Sequence, residues 1–477
     1  MQEYSYYIAG EFRRSEEALT VVNSATEEPF ARIFQSSQKD IEDALFAAQN
    51  AQKQWRGFSY KERAKLLREV ARVMLDNVQI LAELESKETG KIFKESLFVD
   101  IPFGAECFHY YASFLESLQE KLVRSDGGIN LVKYEPFGVV GVFLPYNVPL
   151  MIFGFSCAAA LAAGNALVIK PSEYGSLSLL EFARYIDLLD IPRGLISIIS
   201  GRGETTGRIL SESNVDMISF TGRRTTLQKI IAQSSLSPKK IVCELGGSNL
   251  TFIFSDADRE NALQNVLAAS FMKSGQMCVG TSVILVEDSI YKEFVNDLVK
   301  KARDIKVGDP FDSTSGMGAL VSEEHVLDVE RRIRELISKG GAILCGGERL
   351  NKKGYFFPPT VIEIRDMVYE EFFAPVVLVR SFKRDDAAAI IENNPTGLVL
   401  QIWTKDIKMA NDLAEKAKCG TVWINTFVQM DSHTPFGGMQ TSGWGRELGK
   451  AGFFEYVQTK HIGMGFKSTP VWGWFGV

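Results

Sequence analysis

Between residues 138 and 245, short apolar runs alternate with helical stretches, and this alternation constrains the fold more than any other feature of the chain. Residues 138–144, 165–170, 195–200, 216–220 and 240–245 each read as a strand. The stretch from about Pro149 and residues 176–190 read as helices set between them. Strands separated by helices at this spacing predict a parallel, doubly wound sheet. A second α/β series follows from Asn249 to about Gly420, with apolar strands at 250–254, 282–286 and 376–379 and amphipathic helices at 291–302 and 323–339. Ahead of both, residues 39–56 and 61–87 carry apolar side chains at spacings of three and four, which predicts amphipathic helices.

With 477 residues, two or three domains are expected. A hydrophobic fraction of 45% is ample for large cores. The formal charge of −6 and the lack of any Lys/Arg cluster point away from nucleic acid and anionic membrane as partners. The longest apolar stretch, 148–163, contains Gly154, Ser156 and Cys157 and falls short of the roughly 20 residues of a membrane span, so a buried helix is expected. The N-terminal residues show neither a basic nor an apolar leader pattern, so no signal peptide is expected. The six cysteines form no C-x-x-C and read as free thiols of a reducing compartment, with the cytoplasm as the expected location. The four histidines lack metal-ligand spacing, and no metal site is expected.

Two glycine-flanked segments carry the candidate chemistry. Cys278 lies in Ser274-Gly275-Gln276-Met277-Cys278-Val279-Gly280, a polar setting unlike the apolar runs around Cys157 and Cys345. Its thiolate can add to an aldehyde carbon; the competing reading is one more buried cysteine. Glu244 ends a strand and precedes Gly246-Gly247. At the C-terminal end of a parallel strand a carboxylate faces the ligand crevice and can activate water; the competing reading is a solvated loop acid. Asn147, in Pro145-Tyr146-Asn147-Val148-Pro149, can donate to a developing oxyanion or cap the helix that follows. For a nucleotide, three strand ends qualify: Lys170 with Glu173, the glycines of Gly201-Arg202-Gly203, and Thr221-Gly222. An acid beside the adenosine ribose repels a 2′-phosphate and so favours NAD over NADP.

Taken together these segments resemble the aldehyde dehydrogenase superfamily over nearly the whole chain. The stretches that carry the likeness are Pro145-Tyr146-Asn147, Lys170-Pro171-Ser172-Glu173, Phe220-Thr221-Gly222, Glu244-Leu245-Gly246-Gly247, Gly275-Gln276-Met277-Cys278, Glu370 to Pro375, Pro435-Phe436-Gly437-Gly438 and Ser442 to Glu447. The resemblance implies a Rossmann-like cofactor domain (residues 1–115 and 137–246), an α/β catalytic domain (247–440) and a small β oligomerisation element with the C-terminal tail (116–136 and 441–477). It implies Cys278 as nucleophile, Glu244 as deacylating base, and an oxyanion hole of the Asn147 amide and the Cys278 backbone N–H. It assigns Lys170 and Glu173 to the adenosine ribose, Glu371 to the nicotinamide ribose, Phe373 to the nicotinamide and Gly222 to the pyrophosphate. Phe143, Tyr146, Gly201, Thr221, Arg223 and Leu245 complete the expected cofactor site.

Three departures from the family pattern stand out. Arg223, Arg224 and Leu227 follow Thr221-Gly222, and Arg223 facing a 2′-phosphate would open the site to NADP. Ser248 replaces the usual Lys, and Ala374 the usual Gly, a small change unless that backbone needs positive φ. The expected reaction is NAD-linked oxidation of an aldehyde to a free acid by a homodimer or homotetramer. The resemblance sets Met151, Phe155, Met277, Val279 and Phe436 along the aldehyde tunnel, with Phe103 and Tyr110 nearby, an apolar lining suited to an aromatic or medium-sized aldehyde; the competing reading for the helix residues is core packing. Asp431, Ser432 and His433 stand ready for polar recognition. The alternatives are a carboxylate-bearing semialdehyde, which wants an arginine in the tunnel, a CoA-acylating enzyme, against which Glu244 argues, and a non-catalytic binding protein.

Overall fold

The computed structural model describes residues 1–235 and 237–466. The alternating segment forms the predicted parallel sheet, with strands Val139–Leu144, Ala166–Pro171, Ile196–Ile198, Met217–Gly222 and Lys240–Leu245. Their spatial order runs Lys240–Leu245, Met217–Gly222, Val139–Leu144, Ala166–Pro171, Ile196–Ile198, every neighbouring pair parallel. The winding reverses between Val139–Leu144 and Met217–Gly222, so the chain leaves their C-terminal ends in opposite directions and opens a crevice there.

Antiparallel strands extend both edges of this sheet. Tyr6–Ile8 and Glu11–Arg13 join beyond Ile196–Ile198, and Gly443–Trp444 pairs with Cys243 and Glu244. The expected tail, 441–477, therefore begins with residues that edge the first sheet; its last eleven positions, 467–477, lie outside the described residues. A second sheet of seven strands is parallel except at its Ala342–Cys345 edge. Alternate residues of its strands enter opposite cores: Phe252, Leu285 and Leu378 one, Ile253, Ile284 and Val377 the other. Covering on both faces explains why these strands read as unbroken apolar runs. A third sheet joins Lys121–Ser125, Gly128–Pro136 and Val457–Gly465, all antiparallel.

The helices depart from the sequence reading in two places. Residues 61–87 form two helices, Tyr60–Asp76 and Val78–Thr89, broken where the Asn77 side chain donates back to Val73 O at 2.8 Å. That side chain competes with the backbone for the helical carbonyl. The buried helix after Asn147 is continuous to Ala163 but widens to a π turn at Phe153–Cys157. The N-terminal residues hold strands Gln2–Tyr4, Ala18–Asn23 and Glu28–Phe34, which a reading of helical periodicity passes over. Ser37 and Ser59 start the first two long helices through capping boxes with Asp40 and Glu62. Among the described residues, no helix is long and apolar enough to cross a membrane.

Candidate active site

The ladder register aligns the expected cofactor residues at one edge of the first sheet. Lys170 lies opposite Phe143, Phe143 opposite Phe220, and Phe220 opposite Cys243. One step toward the crevice, Thr221 faces Glu244, and Gly222 faces Leu245. Lys170 Nζ sits 3.1 Å from Glu173 Oε2, and the Gly203 N–H donates to Glu173 Oε1 at 3.2 Å. Burial raises the Glu173 carboxyl, but Lys170 together with the Glu173 and Gly203 backbone N–H groups outweighs it and holds the group below its usual range, as a carboxylate. Gly201 makes the turn after Ile196–Ile198 and Gly203–Gly207 forms a π turn, so the glycine run shapes a helix entry that is not a Rossmann fingerprint. Arg223 is exposed and precedes helix Arg224–Ser234.

Glu244 is only 6% exposed, which removes the reading of a solvated loop acid. Its Oε2 accepts the Gly438 N–H at 2.9 Å, while Oε1 is buried without a partner. Burial, then the neighbouring Glu447 carboxylate, pushes its pKa well above the ordinary carboxylate range. Glu447 is itself buried, and Ser156 Oγ and Tyr456 OH donate to its Oε1 at 3.0 and 2.9 Å. The π turn thus carries Ser156 to a carboxylate that acts on Glu244.

Cys278 is half-buried, whereas Cys107, Cys157, Cys243 and Cys345 are fully buried, and all six cysteines are free thiols. Burial, then Glu371 and Glu244, pushes its thiol up to about 12. Both carboxylates therefore act on the sulfur. Its loop begins with three left-handed residues, Lys273, Ser274 and Gly275, at φ 53°, 55° and 69°. A Cβ on Gly275 would fall 2.1 Å from Ala374 O, so only glycine fits there. The Asn249 side chain donates to Cys278 O and Gly280 O at 2.7 and 2.8 Å and fixes the loop's far side.

Asn147 does not cap its helix: Val148 holds the cap position, with no side-chain cap hydrogen bond. The Asn147 amide instead donates to Gln276 O at 2.8 Å, two residues before the thiol. With one amide hydrogen engaged there, the second is left to meet an oxyanion. Tyr146 OH donates to Gln276 Oε1 at 3.1 Å.

Glu371 folds over Gly246 so closely that a Cβ there would lie 2.1 Å from its Oε2. Its Oε1 is buried and unpartnered, and burial raises the group to about 8. Phe373 adopts φ 53° and meets the Tyr146 ring edge-on at 6.1 Å. The left-handed residue is Phe373 and not Ala374, which is why alanine serves in the glycine's place. Two side chains invisible to the motif reading hold this segment. Arg332 donates to Glu371 O at 2.5 Å, and His325 Nε2 lies 2.9 Å from Phe373 O. Ser248, in place of the family's Lys, is buried and its carbonyl accepts from Asn394 at 3.0 Å.

Of the expected substrate-pocket residues, Phe155 packs edge-on against Phe103 at 5.6 Å and Phe436 at 6.4 Å. Met277 and Val279 are buried and Met151 is half-buried in the same apolar cluster. Ser432 Oγ donates to Glu106 at 2.9 Å, and His433 stands 3.8 Å from Asp431.

A reversed-winding parallel sheet whose crevice holds a thiol and two buried carboxylates defines a dinucleotide-dependent oxidoreductase with a covalent step. Comparison with known proteins narrows this. The aldehyde dehydrogenase family profile matches residues 12–462. A betaine aldehyde dehydrogenase of Bacillus subtilis is 36% identical over 98% of this chain and 99% of its own length. A cytosolic aldehyde dehydrogenase of Rattus norvegicus is 34% identical over 93% and 91%. Among solved structures, a Staphylococcus aureus betaine aldehyde dehydrogenase in complex with NAD+ superposes with a TM-score of 0.95 at 33% identity, covering 99% of this chain and 97% of that one. A Bacillus cereus aldehyde dehydrogenase in complex with NAD+ gives 0.95 at 32% identity, covering 98% and 97%. The chain belongs to the aldehyde dehydrogenase family and is an NAD-dependent oxidoreductase of aldehydes.

Proposed function

We propose that Cys278 is the nucleophile, that Glu244 is the base that releases the acid, and that the Asn147 amide with the Cys278 N–H forms the oxyanion hole. What supports this is geometry: Glu244 is buried with Oε2 held by the Gly438 N–H and Oε1 unpartnered, and the Asn147 amide bonds the loop that carries the half-buried Cys278. Burial keeps the sulfur as a thiol near neutral pH, so its proton must pass to solvent before addition. The thiolate then adds to the aldehyde carbon, and the oxygen gains negative charge that the second Asn147 hydrogen is free to meet. Bound NAD supplies the two-electron acceptor. The resulting thioester is open to water, from which ionised Glu244 removes a proton.

The residues present fit the dinucleotide. Glu173, kept ionised by Lys170, suits a ribose diol, and the orphaned Glu371 Oε1 at the crevice suits the second ribose. Phe373 and Tyr146 offer ring faces to the nicotinamide, and the open Thr221-Gly222 strand end suits the pyrophosphate. The Phe103, Phe155 and Phe436 cluster favours an aromatic or medium-sized apolar aldehyde in a cytoplasmic enzyme. The division into cofactor domain, catalytic domain and oligomerisation element belongs to the same proposal. So does a homo-oligomer built on the exposed third sheet.

The test is a pair of substitutions followed by NADH absorbance. Cys278→Ala is expected to abolish oxidation. Glu244→Gln is expected to keep a stoichiometric NADH burst and slow steady turnover by about 100-fold or more. Full steady-state activity in either variant would remove the role assigned to that residue.

A further inference from the structure

Behind Asn147 and Cys278 lies a buried ionic cluster that the chemistry above does not use. Asp100 is fully buried, and its Oδ2 accepts from Lys91 Nζ at 2.9 Å. Its Oδ1 accepts from Lys273 Nζ at 2.6 Å. Lys91 also donates to Glu85 at 2.5 Å and to the backbone carbonyl of Asn147 at 3.3 Å. Lys273 is the first of the left-handed residues that open the thiol loop, and its backbone N–H donates to Glu95 at 3.0 Å. Three residues later, Gln276 O receives the Asn147 amide; two residues after that comes Cys278.

One carboxylate therefore holds a lysine on each side. One lysine touches the backbone of Asn147, and the other belongs to the loop of Cys278. Stability is a poor explanation for such a cluster, because apolar residues of similar volume generally serve a core as well as buried ion pairs do. A run of left-handed non-glycine residues is likewise unfavourable unless its surroundings fix it, as Asp100 and Glu95 do here. What the cluster does fix is a distance: the separation of two hydrogen-bond donors that must converge on one oxygen.

We propose that Asp100, bridging Lys91 and Lys273, is a positioning residue that sets the geometry of the oxyanion hole between Asn147 and Cys278. The proposal rests on the roles given to those two residues above. Asp100 is fully buried, so it would act only through the two lysines that its carboxylate oxygens bind.

The experiment is a double-mutant cycle on the full-length enzyme, read as the rate constant of the pre-steady-state NADH burst with hexanal or benzaldehyde. Asp100→Asn is expected to slow the burst by about 10- to 100-fold when Asn147 is present. In an Asn147→Ala background, itself slowed by about 100-fold or more, the same change is expected to cost less than about 3-fold, because the donor it positions has gone. Lys273→Met is expected to behave like Asp100→Asn, and Lys273→Arg to restore most of the burst. Lys273→Met also carries the cycle should Asp100→Asn fail to fold. Equal slowing in both backgrounds, or no slowing in either, would overturn the proposal. An unslowed Asn147→Ala burst would instead overturn the oxyanion reading itself, so the two failures are distinguishable.

Discussion

Burial raises the Cys278 thiol and the Glu244 carboxyl, whereas Glu173 is lowered, and each direction makes a prediction. With the Cys278 thiol pushed up to about 12 by burial and then by Glu371 and Glu244, the thiolate is a small fraction at neutral pH. Its alkylation by iodoacetamide without NAD is expected to climb about tenfold per pH unit between about pH 7 and 9. A rate already level in that range would show a resting thiolate and refute the assignment. Glu244 is raised in the same way, so its active carboxylate grows with pH. Single-turnover thioester hydrolysis is expected to rise alongside, and Glu244→Gln to flatten that rise. Glu173 runs the opposite way, since Lys170 keeps it ionised. Glu173→Gln is therefore expected to shift the NADP/NAD ratio of kcat/KM toward NADP by about tenfold or more. At this scale the sequence showed which residue types stood at which strand ends, because strand register turns linear position into spatial position. It could not show Asp100, Arg332 or His325. These act by long-range contact, and no local pattern marks a side chain that bonds to a backbone far along the chain.

Strands and long helices were legible in the sequence wherever burial imposed a period. The strand Lys240–Leu245 was read to the residue, since its apolar run ends at the glycines of the crevice. What escaped was structure that obeys no period: the π turn at Phe153–Cys157, the break at Asn77, and the left-handed run before Gln276. The last is the most consequential. It lifts the thiol loop off the end of helix Arg259–Phe271, and Gly275 lets it pass against the Ala374 carbonyl. Gly275→Ala is expected to lower stability by about 1–3 kcal/mol in denaturant titrations and to cut the burst amplitude. Near wild-type values of both would mean that the Ala374 segment yields easily. The expectation that position 374 tolerates alanine follows from the same geometry, because the strained residue is its neighbour.

For the whole molecule, the third sheet stands out among the described residues for the exposure of its strands. Lys121–Ser125 is one edge, exposed at every position, and Val457–Gly465 the other, with Leu122 57% and Met464 46% exposed on them. A bare apolar edge invites pairing with another copy. Light scattering is expected to show a dimer or larger assembly, and Leu122→Lys combined with Met464→Lys to give a smaller species. An unchanged mass would place the interface elsewhere. The tail that supplies this sheet also supplies Gly443–Trp444, which closes the first sheet beside Glu244, and just ahead of the tail lies the Gly438 N–H that holds that acid. The order of synthesis gives this arrangement a further meaning. A chain emerging from the ribosome has Cys278 made well over a hundred residues before 438–447 exist, so the contacts that pin Glu244 form only once that later stretch has followed. A chain lacking residues 438–447 would keep Cys278 and Glu244 but lose both the N–H that holds the acid and the strand that flanks it.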